Sequence, residues 1–442
     1  MAMNPNPVQP PPATAWIDPF CPLLSDRVGV RPGDPPTPFD TAAGRTAKAL
    51  AHFAGSVMTH APAALVNGVP ASLDDAVAAA ADLIARWRQP LFGGLGTDVA
   101  GARALTSLAL HRGAILDHAH GETMTQSLRA LQDRGGFTCT LSEVRNRADL
   151  IVCVGADLRA LAPDFFQRCG IGETVPGAPP LRRILFLQTA VGLEDTLQSL
   201  PGVQAQTLAL HNDDLHHTLA ELNAACYGRA LARASADWPV LQALAAQLRE
   251  ARYAVLVYAP SQLPGDHAAL LIEAIGRLVR TLNRTTRAAT LAVGDADGSA
   301  TVNQTVTWLT GFPLRTALYA RGFEHDPHRF GSRRLLQEGA ADGLLWVSSF
   351  SPELLPPTSP DKATPMVVLG HPAMAAPVRQ LATDAASESV FIAVSTPGVN
   401  APGHLFRADG GIVLALKPFM PGSLPGVDEV ARRLLELLEA RV

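Results

Sequence analysis

Basic residues and runs of one charge are scarce in this chain of 442 residues. Lysine occurs only three times, no run of five like charges is present, and 36 basic against 40 acidic side chains give a net charge of −4. Proteins that bind nucleic acid need a basic surface that displaces counterions from the phosphates. The composition therefore argues against a nucleic-acid partner.

The chain also lacks the marks of secreted and membrane proteins. Its five cysteines are odd in number and widely spaced, unlike the dense, even set of a disulfide-stapled domain. No basic residue precedes Arg27, the N-terminal segment has no apolar core of a signal peptide, and no stretch reaches about 18 uninterrupted apolar residues. We expect a cytoplasmic protein with reduced thiols that is neither exported nor membrane-spanning.

The chain is rich in apolar residues. Hydrophobic residues make up 47% and charged residues 17% of the sequence, which indicates a large folded core. Short apolar runs such as 149–155 and 253–258 alternate with helical patterns, for example 72–88, where Ser72 and Asp75 form a predicted capping box. This alternation predicts doubly wound α/β sheets, mainly parallel, with ligands at the carboxyl ends of the strands.

The length predicts about three domains. Composition and loop positions suggest four segments. These are a Pro-rich N-terminal arm over 1–65, a first α/β lobe over 66–230, a second over 231–355, and a C-terminal region over 356–442 that completes the sheets.

Two glycine-containing stretches resemble ligand loops only in part. The run Gly93–Asp98 follows a predicted strand and opens a helix, but Val99 stands where a dinucleotide fingerprint needs a small residue, so a plain tight turn is the better interpretation. Asp295 and Asp297 resemble half a calcium loop, yet Val306 occupies the position of the required glutamate. A solvated turn is predicted there.

His118 and His120 form a separate candidate, because two imidazoles at strand-like spacing suit the ligand set of a zinc hydrolase. Such hydrolases usually add a bridging modified lysine, further histidines and an aspartate. Lys48 precedes the pair, and Lys362 and Lys417 lie far downstream in loops or beside prolines, so a dinuclear site is weakly supported. Zinc-dependent hydrolysis at these histidines stays an alternative.

Three longer stretches carry a resemblance to a known family, and together they span most of the chain. They are Cys139–Asp149, Thr307–Pro313, and Thr396–Asn400 with Gly403–Gly410. They resemble the catalytic-type B subunit of formylmethanofuran dehydrogenase, in the molybdopterin oxidoreductase superfamily. The resemblance implies the multi-lobed fold of that superfamily, in which redox-active members hold a [4Fe–4S] cluster and a molybdenum or tungsten pterin.

The chain departs from this family where the cluster would be held. Redox-active members would carry Cys-x2-Cys-x3-Cys near the N-terminus, whereas the matching positions here are Asp18, Cys21 and Ser25. Only Cys21 keeps a sulfur ligand, and no other cysteine precedes Cys139. Because one thiolate cannot hold a cubane cluster, this site is expected to be empty.

A second departure lies at the metal–pterin centre, where the family places Cys-His-Gly. The matching triplet is Ala119-His120-Gly121. Alanine has no lone pair for molybdenum or tungsten, so we expect neither metal nor any other cofactor on this chain.

With both departures, the chain resembles the family members that are retained in the formyltransferase/hydrolase complex of methylotrophic bacteria. The resemblance implies a non-catalytic structural subunit alongside three others: a formyltransferase, an amidohydrolase-type hydrolase and a β-helical subunit. That assembly would pass a formyl group from formyl-tetrahydromethanopterin to a methanofuran-type carrier and hydrolyse it to formate. The alternative within the family is an active dehydrogenase subunit with unconventional ligands such as Asp18, Ser25 and His120.

Overall fold

The computed structural model describes most of the chain after its first residues. The described ranges are 14–26, 28–31, 37–38, 44–53, 61–188, 192–264, 267–294, 297–357, 363–420 and 422–441. The proline-rich start of the predicted arm, residues 1–13, lies outside them, as does Lys362. Among the described helices, none combines the length and apolar character that crossing a bilayer requires.

Strands and helices alternate along most of the described chain. The strands are β1 (Thr14–Trp16), β2 (Val28–Arg31), β3 (Thr37–Pro38), β4 (Ala64–Val66), β5 (Val69–Pro70), β6 (Pro90–Gly96), β7 (Ile115–Leu116), β8 (Leu150–Val154), β9 (Arg182–Leu187), β10 (Val203–Thr207), β11 (Ala254–Tyr258), β12 (Ala288–Ala292), β13 (Thr316–Tyr319), β14 (Gly322–His325), β15 (Gly343–Ser348), β16 (Met366–Gly370), β17 (Ser389–Ala393), β18 (Gly403–Phe406) and β19 (Val413–Leu416). The helices are α1 (Gly44–Ala51), α2 (Leu73–Ala85), α3 (Val99–Arg112), α4 (Gly121–Arg134), α5 (Leu141–Arg147), α6 (Leu158–Leu161), α7 (Phe165–Arg168), α8 (Glu194–Gln198), α9 (Leu215–Cys226), α10 (Trp238–Glu250), α11 (Ala268–Leu282), α12 (Ser299–Thr310), α13 (Ser332–Gln337), α14 (Ala375–Asp384) and α15 (Val427–Glu439).

The larger sheet has nine strands in the order β14-β13-β7-β6-β15-β16-β17-β4-β5. Its five central strands, from β7 to β17, are parallel, and antiparallel hairpins flank them on both sides. Counted along the chain, the parallel strands follow the order 2-1-3-4-5, so the order reverses between β6 and β15. This is where a doubly wound sheet opens a crevice at its carboxyl ends.

The smaller sheet is parallel throughout, with five strands in the order β10-β9-β8-β11-β12. All residues of β8 (LIVCV) and β11 (AVLVY) are buried, as expected for strands covered by helices on both faces. The prediction of doubly wound, mainly parallel sheets is therefore confirmed. At the start of α2, Ser72 Oγ accepts the backbone N–H of Asp75 at 3.1 Å, as the capping pattern predicts.

The tight turn predicted for Gly93–Asp98 is wrong over Gly93–Gly96, because β6 runs through these glycines and ends only at Gly96. A Cβ on Gly94 would lie 2.6 Å from the carbonyl oxygen of Val347 on the neighbouring strand β15, and Gly94 has a φ of +73°. The pairing between the two strands shifts register near this point. The glycines thus allow a close backbone approach inside the sheet.

The hairpin β18–β19 connects the two sheets. Its loop residue Asp409 accepts the backbone N–H of Leu141 at 3.0 Å, which ties it to α5 beside the smaller sheet. On its other side, Thr301 accepts the N–H of Phe406 at 2.9 Å, and Asp98 accepts the N–H of His404 at 3.1 Å. Two of the other stretches that carry the family resemblance contact this hairpin, Cys139–Asp149 through Leu141 and Thr307–Pro313 through the ring of Trp308 against Phe406.

The sheets group the chain differently from the four predicted segments. The five-stranded sheet takes its strands from 150–292, whereas the nine-stranded sheet takes strands from before and after that range. The boundary at 230 lies between β10 and β11 of one sheet. The segment boundaries themselves stay predictions.

Candidate functional site

The candidate residues 118–121 lie in the turn that joins β7 to α4, at the carboxyl edge of the larger sheet. His118 is fully buried, whereas Ala119 and His120 are partly accessible. The N–H of Ala119 donates to the carbonyl of Gly94 at 3.0 Å, which fixes the turn against β6. Position 121 requires glycine, because a Cβ there would lie 2.1 Å from the carboxylate of Asp117.

The hydrogen bonds of His118 determine its protonation. Its Nδ1 accepts the backbone N–H of His120 at 3.0 Å, so the proton of the neutral ring resides on Nε2. That nitrogen faces the carbonyl oxygen of Asp297 at 3.3 Å. Burial, with the neighbouring His120, lowers the pKa of His118 to about 3. His118 is therefore a neutral structural histidine, with both nitrogens engaged by the protein.

The carboxylate of Asp297 contacts both Arg45 and His120 at this site. Its Oδ2 accepts from Arg45 at 2.8 Å and lies 2.8 Å from Nε2 of His120. Burial acts to raise the pKa of Asp297, but the hydrogen bond from His120 and the charge of Arg45 outweigh it, so its pKa lies below its ordinary value. The predicted solvated turn is thus wrong at Asp297, which is buried; Asp295 lies outside the described residues.

A buried ion pair between Arg315 and Asp117 stabilises the turn at residues 118–121. Nε of Arg315 lies 3.3 Å from Asp117 Oδ1, and the other carboxylate oxygen accepts both the N–H and the hydroxyl of Ser332, at 2.7 and 2.8 Å. Arg315 also donates to Glu122 at 3.0 Å, in the first turn of α4. This network holds β7, α4 and α13 together around the 118–121 turn.

The predicted remnant of the cluster site forms a tight buried loop after β1. One oxygen of Asp18 accepts the N–H of Phe20 at 2.9 Å and the other accepts the hydroxyl of Thr46 at 2.5 Å. The hydroxyl of Ser25 donates to Asp164 at 2.6 Å. The oxygens at both positions are therefore bound within the protein.

Burial in this loop shifts the pKa values of Asp18 and Cys21. Burial raises the pKa of Asp18 to about 6, although the bonds from Thr46 and Phe20 oppose the shift. Burial, aided by the nearby Asp18, raises the pKa of Cys21 to about 12. Cys21 packs in an apolar cluster with Cys139, so its thiol stays protonated at neutral pH.

Helix α1 connects the two remnant sites through adjacent residues. Thr46 donates to Asp18 of the first site, and Arg45 donates to Asp297 of the second. The two places where the chain departs from the redox family therefore share one supporting helix.

Two clefts open on either side of this network, and Arg45 and His120 line both. The first has a volume of about 350 Å³ and lies at the carboxyl ends of β11 and β12, with Met124 and Leu128 of α4 on one wall. The second, of about 330 Å³, lies against Phe350. Both are large enough for a small organic molecule.

The donor chemistry does not fit the two inorganic groups that the family resemblance implies. Ala119 presents a methyl group where a thiolate would be needed, and the segment 18–25 offers one protonated thiol beside oxygens already hydrogen-bonded. Within the ranges that the structure describes, no group of three or more His, Cys, Asp or Glu side chains converges as a metal site would require.

Sequence reasoning missed the residues that hold the two positions in place: Arg45, Thr46 and Asp164, and the network of Asp117, Glu122, Arg315 and Ser332. Arg45 and Asp297 are 252 positions apart, and no local motif links them. The one sequence feature near this contact was the acidic pair Asp295 and Asp297. Only the fold shows that Asp297 is buried and bonded to Arg45.

Comparisons with known proteins place these observations in context. No family model matches the chain. The chain is 32% identical over 388 residues to the B subunit of the formyltransferase/hydrolase complex Fhc of Methylorubrum extorquens, covering 86% of this chain and 98% of that protein. It is 25% identical over 340 residues to the B subunit of the tungsten-containing formylmethanofuran dehydrogenase 2 of Methanocaldococcus jannaschii, covering 75% and 74% of the two chains.

A solved structure gives the same relationship in three dimensions. The chain matches the crystal structure of the formyltransferase/hydrolase complex FhcABCD from Methylorubrum extorquens, solved with methylofuran. The TM-score is 0.69 at 28% identity, and the match covers 86% of this chain and 99% of that one.

Proposed function

The chain belongs to the family of the Fhc B subunit, and we propose on this premise that it is a redox-inactive structural subunit of a formyltransferase/hydrolase complex. Its partners would be a formyltransferase subunit, an amidohydrolase-type hydrolase subunit and a β-helical subunit, in the cytoplasm. These partners would carry out formyl transfer from formyl-tetrahydromethanopterin to a methanofuran-type carrier and hydrolysis to formate. This chain would position them.

The observation that carries the proposal is the state of the side chains at the family's two cofactor positions. Asp18 and Ser25 use their oxygens in hydrogen bonds to Thr46 and Asp164, and Cys21 has a pKa of about 12. Ala119 has no donor atom. An iron–sulfur cluster needs thiolates, and the metal of the pterin needs a protein ligand, so these residues favour a chain without either group.

The zinc hydrolase alternative finds less support in the geometry. Both nitrogens of His118 are directed at backbone groups, and Nε2 of His120 is bound to Asp297. A zinc ligand must offer a free nitrogen lone pair to the metal, while its other nitrogen is held by a second partner. His118 would have to break a buried hydrogen bond to become one.

The test is the composition and activity of the intact assembly, purified with this chain in place. We expect molybdenum, tungsten and iron to be substoichiometric to the chain, formate to be released from the formyl carrier, and no dye reduction with formylmethanofuran. A His118→Ala/His120→Ala variant that still assembles should release formate at the wild-type rate. One molybdenum or tungsten per chain, or formylmethanofuran-dependent dye reduction, would overturn the proposal, and loss of formate release in that variant would favour the hydrolase alternative.

A further inference from the structure

Exposed arginines gather beside the smaller sheet, at the end where its strands begin. From residue 227 to residue 287 the sequence has eight arginines and four acidic residues, whereas the whole chain has a net charge of −4. All eight arginines are exposed, and no carboxylate of the described residues forms an ion pair with any of them. They are Arg229, Arg233, Arg249, Arg252, Arg277, Arg280, Arg284 and Arg287.

The acidic residues of this stretch leave most of the positive charge unbalanced. Asp237 accepts the backbone N–H groups of residues 211 and 212, and Glu273 lies 3.6 Å from Nε of Arg134, which is outside the stretch. Glu250 is exposed, and Asp266 lies outside the described residues. This end of the smaller sheet is therefore positive on a chain that is negative overall.

Tyr227 brings part of this charge into one place. The guanidinium carbons of Arg229 and Arg284 each lie 4.7 Å from the centroid of its ring, and Tyr227 is 47% exposed. Arg249 reaches the same helix end, where its Nη1 donates to the carbonyl of Ala225 at 2.7 Å. A cation over an aromatic ring is attracted to it, so the ring holds two guanidinium groups in position. We call Tyr227, Arg229, Arg249 and Arg284 the Tyr227 patch.

Only some of these arginines have a structural role. The last carbonyl groups of a helix lack partners within the helix and attract basic side chains. Arg249 binds such a carbonyl at the end of α9, and Arg280 binds the carbonyl of Arg134 at the end of α4. For the guanidinium groups of Arg229 and Arg284, the described residues provide neither a carboxylate nor a carbonyl. Their donors are available to a ligand.

We propose that the Tyr227 patch binds an acidic polypeptide segment, rich in Asp and Glu, that belongs to another protein chain. Guanidinium groups bind carboxylates through paired N–H donors, and groups already held by a ring lose less freedom on binding. This chain cannot supply such a segment itself, because it never places more than two acidic residues side by side. A nucleic acid fits less well, since it would extend past the patch onto the rest of a negatively charged chain.

The patch lies away from the clefts at the two family positions. The strands β11 and β12 begin near it, where the N–H of Ala254 donates to the carbonyl of Arg287 at 2.9 Å. The first cleft lies at the opposite, carboxyl ends of these strands. An acidic segment bound to the Tyr227 patch would therefore leave that cleft open, and the inference does not depend on the proposed function.

The test is fluorescence anisotropy with the purified full-length chain and a fluorescein-labelled peptide of four Asp-Glu repeats. We expect Arg229→Gln/Arg284→Gln to weaken binding by about tenfold, because two exposed ion pairs would be lost. Tyr227→Leu should weaken it by about threefold without changing any charge, because the two guanidinium groups lose their support. Tyr227→Phe keeps the ring and should bind as the wild type does.

Arg86→Gln/Arg432→Gln is the matched control. It removes two exposed positive charges near the larger sheet, where Arg86 pairs with Glu388 and Arg432 with Asp428, and it should bind as the wild type does. If this control loses as much affinity as Arg229→Gln/Arg284→Gln, the peptide responds only to net charge and the inference is wrong.

Three further outcomes would overturn the inference. They are no binding by the wild type, equal binding by the wild type and Arg229→Gln/Arg284→Gln, and tighter binding of an oligothymidylate of the same length than of the peptide. The last would assign the patch to nucleic acid. If circular dichroism shows that Tyr227→Leu does not fold, the comparison of the two double arginine variants still decides. Metal content and formate release, which test the proposed function, are not affected by any of these results.

Discussion

Replacing Asp18 with asparagine should stabilise the chain at alkaline pH, and this outcome tests the interpretation of the remnant cluster site. Burial raises the pKa of Asp18 from 3.8 to about 6. The folded state thus holds this proton more tightly than the unfolded chain does, and unfolding releases it between these pH values. Wild-type stability should therefore be highest below about pH 4 for this group and should fall as the pH rises to about 6.

The size of the effect follows from the shift. A shift of about two units at 1.36 kcal/mol each corresponds to about 3 kcal/mol of stability that the ionised carboxylate removes at pH 8. An asparagine side chain at this position cannot ionise and can still accept the N–H of Phe20, so its contribution should not change with pH. At about 2.1 cal/mol/K of unfolding entropy per residue, 3 kcal/mol over 442 residues corresponds to a change in Tm of about 3 °C.

The assay is differential scanning calorimetry of the wild type, Asp18→Asn and Thr46→Val between pH 4 and pH 8. The Tm of Asp18→Asn relative to wild type should rise by about 3 °C across this range. Thr46→Val keeps the shape but removes the hydroxyl that donates to Asp18, at a cost of about 1.5–3 kcal/mol when the carboxylate is charged. The stability that Thr46→Val loses relative to the wild type should therefore increase as the pH rises. An Asp18→Asn variant that loses stability as the pH rises would refute the reasoning, because it would mean that the ionised carboxylate serves the fold, as it would if it held a cation.

Two further predictions follow from buried groups elsewhere. Arg315→Met should lower the free energy of unfolding by about 3–5 kcal/mol in urea denaturation, because Asp117 would remain buried without its cation. Arg86→Met, which breaks the exposed pair with Glu388, should leave the free energy of unfolding nearly unchanged; equal costs for the two variants would contradict this. All five thiols should stay unreactive to Ellman's reagent at pH 8 until denaturant is added, because burial raises the pKa of each of them; rapid labelling of Cys21 in the folded chain would show that its loop opens.

Most strands of the two sheets could be predicted, because each of them is an apolar run within its own stretch of sequence. The run 149–155 becomes β8 (Leu150–Val154), and 253–258 becomes β11 (Ala254–Tyr258), since strands buried on both faces must be continuously apolar. The antiparallel hairpin β13–β14 was not predicted. Its second strand, Gly322–His325, is exposed and polar, so it has no apolar pattern and forms only because β13 offers an open edge.

Most of the predicted site residues were identified through a family motif, and His118 and Asp297 through local spacing alone. Ala119, His120 and Gly121 were identified through the triplet that they replace, and Asp18 through the spacing of the missing cysteines. Arg45 belongs to no motif. Its role depends on a contact across 252 positions, and only the folded chain brings a charged side chain of α1 next to Asp297.

Side chains of α1 connect the segments that carry the two family positions. In redox relatives the resemblance implies a cluster and a metal that would tie separate segments together. Here Thr46 ties α1 to the loop at Asp18, and Arg45 ties the same helix to Asp297 and so to His120. Burying a carboxylate is costly, and each of the two takes a hydrogen bond from α1: Asp18 from Thr46 and Asp297 from Arg45. Because adjacent residues of one helix bond to both carboxylates, a change that displaces α1 would remove one hydrogen bond from each of them, while the bonds from Phe20 to Asp18 and from His120 to Asp297 would remain.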